Sequence, residues 1–207
     1  VGFFFFPVKK LLPLIFFAEA FFILWVLNGL DTFTSDSPIL LARIIHYAVQ
    51  AVLFFLPAWI ANGPPALVQG YNILNYPLDL GKTWKDGKRI LGDNKTIRGF
   101  LAGTLAGGFM GFLEGRILAG FILGFSGMLG DAIKSFFKRR TDIPPGGRFS
   151  PWDRIDFILG SLILYTLIFG FEWQIVAYAF VIMILVYPIH EVSDRIAVFL
   201  GIKKNPW

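Results

Sequence analysis

The 207-residue chain contains no cysteine, which excludes disulfides and thiolate metal sites and leaves the redox compartment open. Charge is sparse, at 16% of residues against 56% hydrophobic. With a mean hydropathy of +0.65, the composition is too apolar for an ordinary soluble core of this size. The ten-residue alternation of a barrel strand is missing, and a backbone in lipid must satisfy its own hydrogen bonds, so helix is the expected element. The opening VGFFFFPVKK lacks the signal-peptide order of basic region, apolar region and small-residue cleavage site, and reads as the start of a span.

What is present instead is a series of apolar segments at about 11–30, 39–61, 99–113, 117–137, 157–170 and 175–200. Several approach the roughly 20 residues needed to cross the hydrocarbon as helix. The expected fold is an all-α polytopic membrane protein with five to six transmembrane helices. The fifth segment is barely long enough to cross and the first is an accessory candidate. A net charge of +5 would suit nucleic acid, but the basic residues sit between the spans, where a cytoplasmic loop bias accounts for them; no nucleic acid partner is expected.

Lys82, Lys85, Lys88, Arg89, Lys95 and Arg98 precede the third span, and Lys138, Arg139, Arg140, Arg148 and Arg154 follow the fourth. Both loops, 62–98 and 138–156, are therefore expected on the cytoplasmic face of a multi-pass cell-membrane protein. Lys9, Lys10, Lys203 and Lys204 fall on the same side. The acidic connection Asp31 to Asp36, the turn Glu114 to Arg116 and Glu172 fall outside. Residues 1–38 read as an N-terminal accessory span with an acidic outer loop, and 39–207 as the main transmembrane domain. In the third span Gly99, Gly103, Gly107, Gly111 and Gly115 recur every four residues, a ridge expected to pack closely on a neighbouring helix.

The stretch LDLGKTWKDGKRILGDNKTIRGF has few apolar positions and alternating acid and base. Glycines let backbone amides approach an anion, so Gly92, Asn94, Lys95, Thr96 and Arg98 are candidates to cradle a polyphosphate at a helix start. The spacing is not that of a P-loop, and the same loop also reads as a plain positive-inside connection. Downstream, Asp131, Lys134, Ser135 and Lys138 share one helical face of the fourth span. An aspartate in an apolar span is costly and usually serves a site; a self-satisfying Asp131–Lys134 ion pair is the plainer alternative. After the PPGG bend, Asp153 and Asp156 lie one helical turn apart. Asp131, Asp153 and Asp156 are candidate Mg²⁺ ligands, since Mg²⁺ is typically held by one or two carboxylates together with substrate phosphates. Salt bridges to Arg154 are the alternative for that pair. His190, Glu191, Asp194 and Arg195 end the last span on the same side. Arg43 and His46, near the opposite side, read as packing or snorkelling residues.

SFFKRRTDIPPGGRFSPWDRID resembles the signature of the phosphatidate cytidylyltransferase (CDP-diglyceride synthase) family, and NKTIRGF is similar to that family's N-K-T-W-E-G segment. Thr141-Asp142 and Arg148-Phe149-Ser150 stand where the wider family has Lys-Asp and His-Gly-Gly, so Asp142 is not carried over as a ligand. Ile97 and Arg98 replace the aromatic and the acid, a feature of the family's archaeal branch, the CDP-archaeol synthases. LDLGKTWKDGKRILGDNKTIRGF and the closing HEVSDRIAVFLGIKKNPW also resemble that branch, over approximately residues 40–207. The resemblance implies a cytidylyltransferase that joins CTP to an isoprenoid ether lipid phosphate, 2,3-bis-(O-geranylgeranyl)-sn-glycerol 1-phosphate, and releases pyrophosphate. It implies catalytic roles for Asp131, Lys134, Asp153 and Asp156, and nucleotide contacts from Lys82, Asn94, Lys95, Thr96, Arg98, Lys138, Arg139 and Arg154. Both loops would then form one active site. A transporter or channel is the alternative, because intramembrane charge also marks ion paths; no inverted repeat is visible between the halves.

Overall fold

The structure is a computed structural model that describes residues 8–35, 39–68, 71–144 and 147–199. Expectations for Asp36, Lys203 and Lys204, and for the side chains of Lys9, Lys10, His190 and Asp194, lie outside the described residues. Seven helices are present among the described residues: α1 (Val8–Thr34), α2 (Leu40–Ala61), the one-turn α3 (Pro64–Leu67), α4 (Ile97–Leu113), α5 (Ile117–Arg140), α6 (Trp152–Phe169) and α7 (Trp173–Phe199). All six apolar segments are helical. The stretch Leu40–Leu67 and α5 are long and apolar enough to cross a membrane, and shorter apolar runs occupy Phe21–Thr32, α4 and Trp173–Ile189. Beyond the helices, only the isolated bridges Pro77 to Thr96 and Thr83 to Arg89 pair extended backbone among the described residues.

Helix ends depart from the expected loop limits. α5 runs on to Arg140 and α6 begins at Trp152, so Lys138, Arg139, Asp153 and Asp156 stand on helices rather than in a 138–156 loop. Likewise α3 interrupts the 62–98 loop and Arg98 belongs to the first turn of α4. Helical geometry at these ends fixes the spacing of the charges, which a loop would leave free.

α5 is the hub, packed between α4 and α6, while α2 packs against α4, α5 and α7 and also carries α1. The glycines explain how α4 and α5 approach. A side chain on Gly107 would collide with the Gly124 backbone at 2.5 Å, and one on Gly111 would meet the Gly120 backbone. Gly103 faces Met128 and the carbonyl of Ala61. The ridge is therefore a backbone contact surface, as small-xxx-small faces are in lipid. Gly115 departs from the expectation: it sits in the α4–α5 turn with φ +74, because the helix has already ended at Leu113. On the other side of α5, Gly130 lies against the Asp156 carbonyl, and Gly160 against the Ser126 carbonyl at 2.5 Å from a hypothetical Cβ.

The core is small and aromatic. Phe55, Leu123, Ile158, Ile182 and Val186 are fully enclosed between α2, α5, α6 and α7, and a second cluster joins Leu24 of α1 to Leu56, Ile60, Ala106 and Met110. Outward faces are also apolar: Leu41, Leu105, Phe112, Leu118, Leu167, Phe180 and Ile184 are all exposed. Apolar surface on that scale calls for a lipid or protein environment.

Candidate active site

The 71–96 segment is organised by one buried carboxylate. Asp79 Oδ1 accepts from the Gly81 N–H at 3.1 Å and from Arg89 Nη2 at 2.7 Å, while Oδ2 accepts from the N–H groups of Leu91 at 2.9 Å and Gly92 at 3.0 Å. Burial alone would raise this carboxyl, but the Arg89 guanidinium and the Gly92, Leu91 and Gly81 amides hold it well below the usual carboxylate range. Arg140, at the end of α5, clips the segment down. Its guanidinium meets Asp86 at 2.7 Å and donates to the Lys88 and Arg89 carbonyls at 3.2 and 2.8 Å, and Lys88 reaches Asp142 at 2.6 Å. Asp79 and Arg140 organise this segment through contacts whose only signal in the sequence is the acid–base alternation itself.

The same segment then starts α4. Thr96 caps the helix, its hydroxyl accepting from the Gly99 N–H at 3.1 Å. This cap fixes Lys95 beside α5, where its ammonium pairs with Asp131. Lys134 stands one turn further along and gathers the rest. Its Nζ lies 3.0 Å from Asp131, 3.3 Å from Asp153 and 2.7 Å from Asp156. Lys138 follows one turn on, 2.6 Å from Asp153 and donating to the Gly147 carbonyl at 2.8 Å. Asp131, Asp153 and Asp156 thus face Lys95, Lys134 and Lys138, three charges of each sign on α5, α6 and the start of α4. Removing one partner from such a cluster strands the others, at a cost of about 3–5 kcal/mol for a buried pair. The Asp131–Lys134 ion pair of the plainer alternative is present, but it does not satisfy itself alone: it is one edge of this network.

Two cavities meet at Lys134. One, of about 200 Å³, is lined by Gly92, Asn94, Lys95, Lys134, Lys138 and Arg139. Its walls are rich in cationic groups, and Arg139 Nε is buried there without a partner. The other, of about 400 Å³, is apolar, formed by Ile133, Phe137, Phe149, Trp152, Leu159 and Ile163 with Lys134 and Asp156 at its polar end. A phosphate-sized anion fits the first, a hydrocarbon chain the second, and the Lys134 ammonium borders both.

Not every candidate is gathered. Lys82 is exposed and lines neither cavity. Arg98 is buried and donates to the Asn75 side chain at 3.0 Å. Arg154 turns away toward α7, 3.2 Å from Glu191 and 4.8 Å above the Tyr187 ring; Glu191 pairs in turn with Arg195. His46 does more than pack, standing 2.7 Å from Asp31.

Three carboxylates are hard oxygen donors of the kind Mg²⁺ takes. Among the described residues no group of three metal-ligating side chains is preformed, and the point on which the carboxylates converge holds an ammonium. One or two of these carboxylates, rather than all three, are thus the donor set that would hold such a cation.

Fold and site together define an all-helical membrane protein with a basic, phosphate-sized cavity opening beside an apolar groove. Comparison with known proteins gives the class its family. The model for CarS-like proteins, CDP-archaeol synthase, matches residues 41–119 and 109–207. A CDP-archaeol synthase of Methanopyrus kandleri is 40% identical over 168 residues, 76% of this chain and 92% of that one. One of Pyrobaculum islandicum is 39% identical over 168 residues, 77% of this chain and all of that one. A solved structure described as an intramembrane enzyme for archaeal membrane lipids biosynthesis aligns with TM-score 0.53 and 33% identity, covering 66% of this chain and 90% of its own. The chain belongs to the CDP-archaeol synthase family.

Proposed function

We propose that the protein transfers the cytidylyl group of CTP to 2,3-bis-(O-geranylgeranyl)-sn-glycerol 1-phosphate, forming the CDP-activated archaeal lipid and pyrophosphate in membrane phospholipid synthesis. The observation that carries this reading is the meeting of the basic cavity and the apolar groove at Lys134. Family membership favours it over a transporter or channel.

The attacking group is a lipid phosphate oxygen. A phosphate monoester has a second pKa of about 6, so it is already largely deprotonated at neutral pH and needs no general base. The work left to the protein is to hold two anions together and to stabilise charge on the α-phosphoryl group and on departing pyrophosphate. In this reading Asn94, Lys95, Lys138 and Arg139 hold the triphosphate in the basic cavity. The isoprenoid chains lie in the groove along Phe137, Trp152 and Ile163, and Lys134 meets the lipid phosphate at the junction. Asp131, Asp153 and Asp156 orient these ammonium groups, and one or two of them would hold Mg²⁺, which would supply charge neutralisation at the phosphates.

The accompanying topology has five to six crossings, with the α3–α4 and α5–α6 connections and the helix ends that flank them on the cytoplasmic side. In it α1 is an accessory span and α2 to α7 carry the catalytic domain. Purified protein given CTP, Mg²⁺ and the geranylgeranyl ether lipid phosphate should release pyrophosphate only when all three are present. Release without the lipid phosphate, or none at all, would overturn the proposal.

A further inference from the structure

At the opposite end of α4 from the charged cluster, about 25 Å away for a 17-residue helix, lies a cavity of about 430 Å³. Its volume falls within the range of small-molecule sites. α1 supplies Leu24, Asn28 and Asp31, α2 supplies Gln50, and the α4–α5 turn supplies Glu114 and Arg116. The turn is tied to α2, because Arg116 donates to the Leu53 and Phe54 carbonyls at 2.5 and 3.2 Å and pairs with Glu114 at 2.7 Å. That pairing engages one Glu114 oxygen. The other, Oε1, is buried with no partner, on a side chain only 6% exposed. An unmet acceptor of this kind is costly unless a ligand or water completes it. Burial lifts the Glu114 carboxyl to about 7, and Arg116 only partly opposes it.

The remaining groups set the chemistry of the occupant. Asn28 spends its amide N–H on the Leu24 carbonyl at 2.9 Å, leaving its oxygen as an acceptor. Asp31 adds a carboxylate whose Oδ1 already lies 2.7 Å from His46, and Phe54 and Tyr178 contribute rings to the wall. The Phe54 ring already receives a cation, Arg116, at 5.3 Å. Acceptors plus aromatic and apolar walls suit an organic cation with N–H donors. A bare metal ion fits less well, since the space is much larger than an ion and no cage of three metal-ligating side chains exists among the described residues.

We infer that this cavity binds a primary ammonium group, with Glu114 as its counter-ion and Asn28 as a second acceptor. The family match begins at residue 41, so α1, which closes the cavity, lies outside it. The ammonium comes either from an aminolipid headgroup or from a free small amine.

The test uses the full chain in detergent micelles, melted with ethanolamine hydrochloride, with phosphatidylethanolamine, or with choline chloride and sodium chloride at matched ionic strength. The expected result is a saturable rise in melting temperature of about 2–8 °C with a primary amine, absent with choline, which has no N–H donors, and with sodium. A response to both amine probes assigns the site to free amines as well, and a response to phosphatidylethanolamine alone assigns it to a lipid headgroup. Glu114→Gln and, independently, Asn28→Leu should each weaken amine binding by about tenfold or more, the loss of one charge-assisted hydrogen bond. Pyrophosphate release by the two variants should stay within about twofold of the parent, well under the 1.4 kcal/mol that a tenfold change represents. No shift with either amine, an equal shift with choline or sodium, or an undiminished shift in both variants would overturn the inference.

Discussion

The Lys134 ammonium on α5 lies 2.7 Å from an Asp156 carboxylate oxygen on α6, at the one point where the basic cavity and the apolar groove share a wall. That contact depends on backbone closeness, since Gly130 of α5 rests against the Asp156 carbonyl. Lys134 therefore lines both the basic cavity and the apolar groove.

Lys134→Met should lower kcat for pyrophosphate release by about 10²–10³-fold, the scale for removing a preorganised charge from a developing anion. Lys134→Arg should recover little, because a planar fork does not replace a point charge among three carboxylates. Steady-state kinetics on both variants check this, with circular dichroism to confirm helix content.

Arg154→Ala offers a contrast. Its guanidinium faces Glu191 and Tyr187 rather than the cavity, so KM for CTP should change by less than about threefold, below 1 kcal/mol. The same measurement on Arg139→Ala, which lines the basic cavity, should show KM for CTP rising by about tenfold or more, one charge-assisted hydrogen bond.

Asp79 predicts a pH dependence of the loop. Its folded value is depressed, so its stabilising contribution is complete above roughly pH 4, the unfolded value, and is lost only as pH falls through the lower folded value. Amide exchange at Leu91 and Gly92 should show protection that does not vary between about pH 5 and 7 once intrinsic rates are removed. Asp79→Asn should reduce that protection across the whole window, because it removes the charge that Arg89 and the amides were placed to meet.

Gly107→Leu should weaken helix packing. The new side chain meets Gly124 backbone at 2.5 Å already at its Cβ, and backbone yields less than a side chain would. A destabilisation of about 1–3 kcal/mol or more is expected for such overpacking, measured by thermal unfolding in detergent. Gly115→Ala, in the turn at φ +74 with open space around it, should cost about 1 kcal/mol through backbone strain alone.

The helices were legible because apolar length is written directly in composition, and Asp131, Lys134 and Lys138 were legible because helical periodicity puts them on one face. Loop limits were less so: Lys138, Arg139, Asp153 and Asp156 are polar residues on helix ends, where hydropathy falls before the helix stops. Arg154 follows the charge pattern of its neighbours, but its direction is decided by Glu191, 37 residues away in sequence. Asp79 and Arg140 serve long-range contacts that no local spacing announces. The amine cavity was hidden for the same reason, since it joins α1, α2 and the α4–α5 turn, which are remote in sequence.

The most direct test of the central claim is CTP-dependent pyrophosphate release by the purified protein with the geranylgeranyl ether lipid phosphate and Mg²⁺, set beside Asp156→Asn. The parent should turn over only with both substrates, and Asp156→Asn should lose at least about 10²-fold, or 2.7 kcal/mol of transition-state stabilisation. Full turnover by Asp156→Asn would contradict an active site built on the α5–α6 charge cluster.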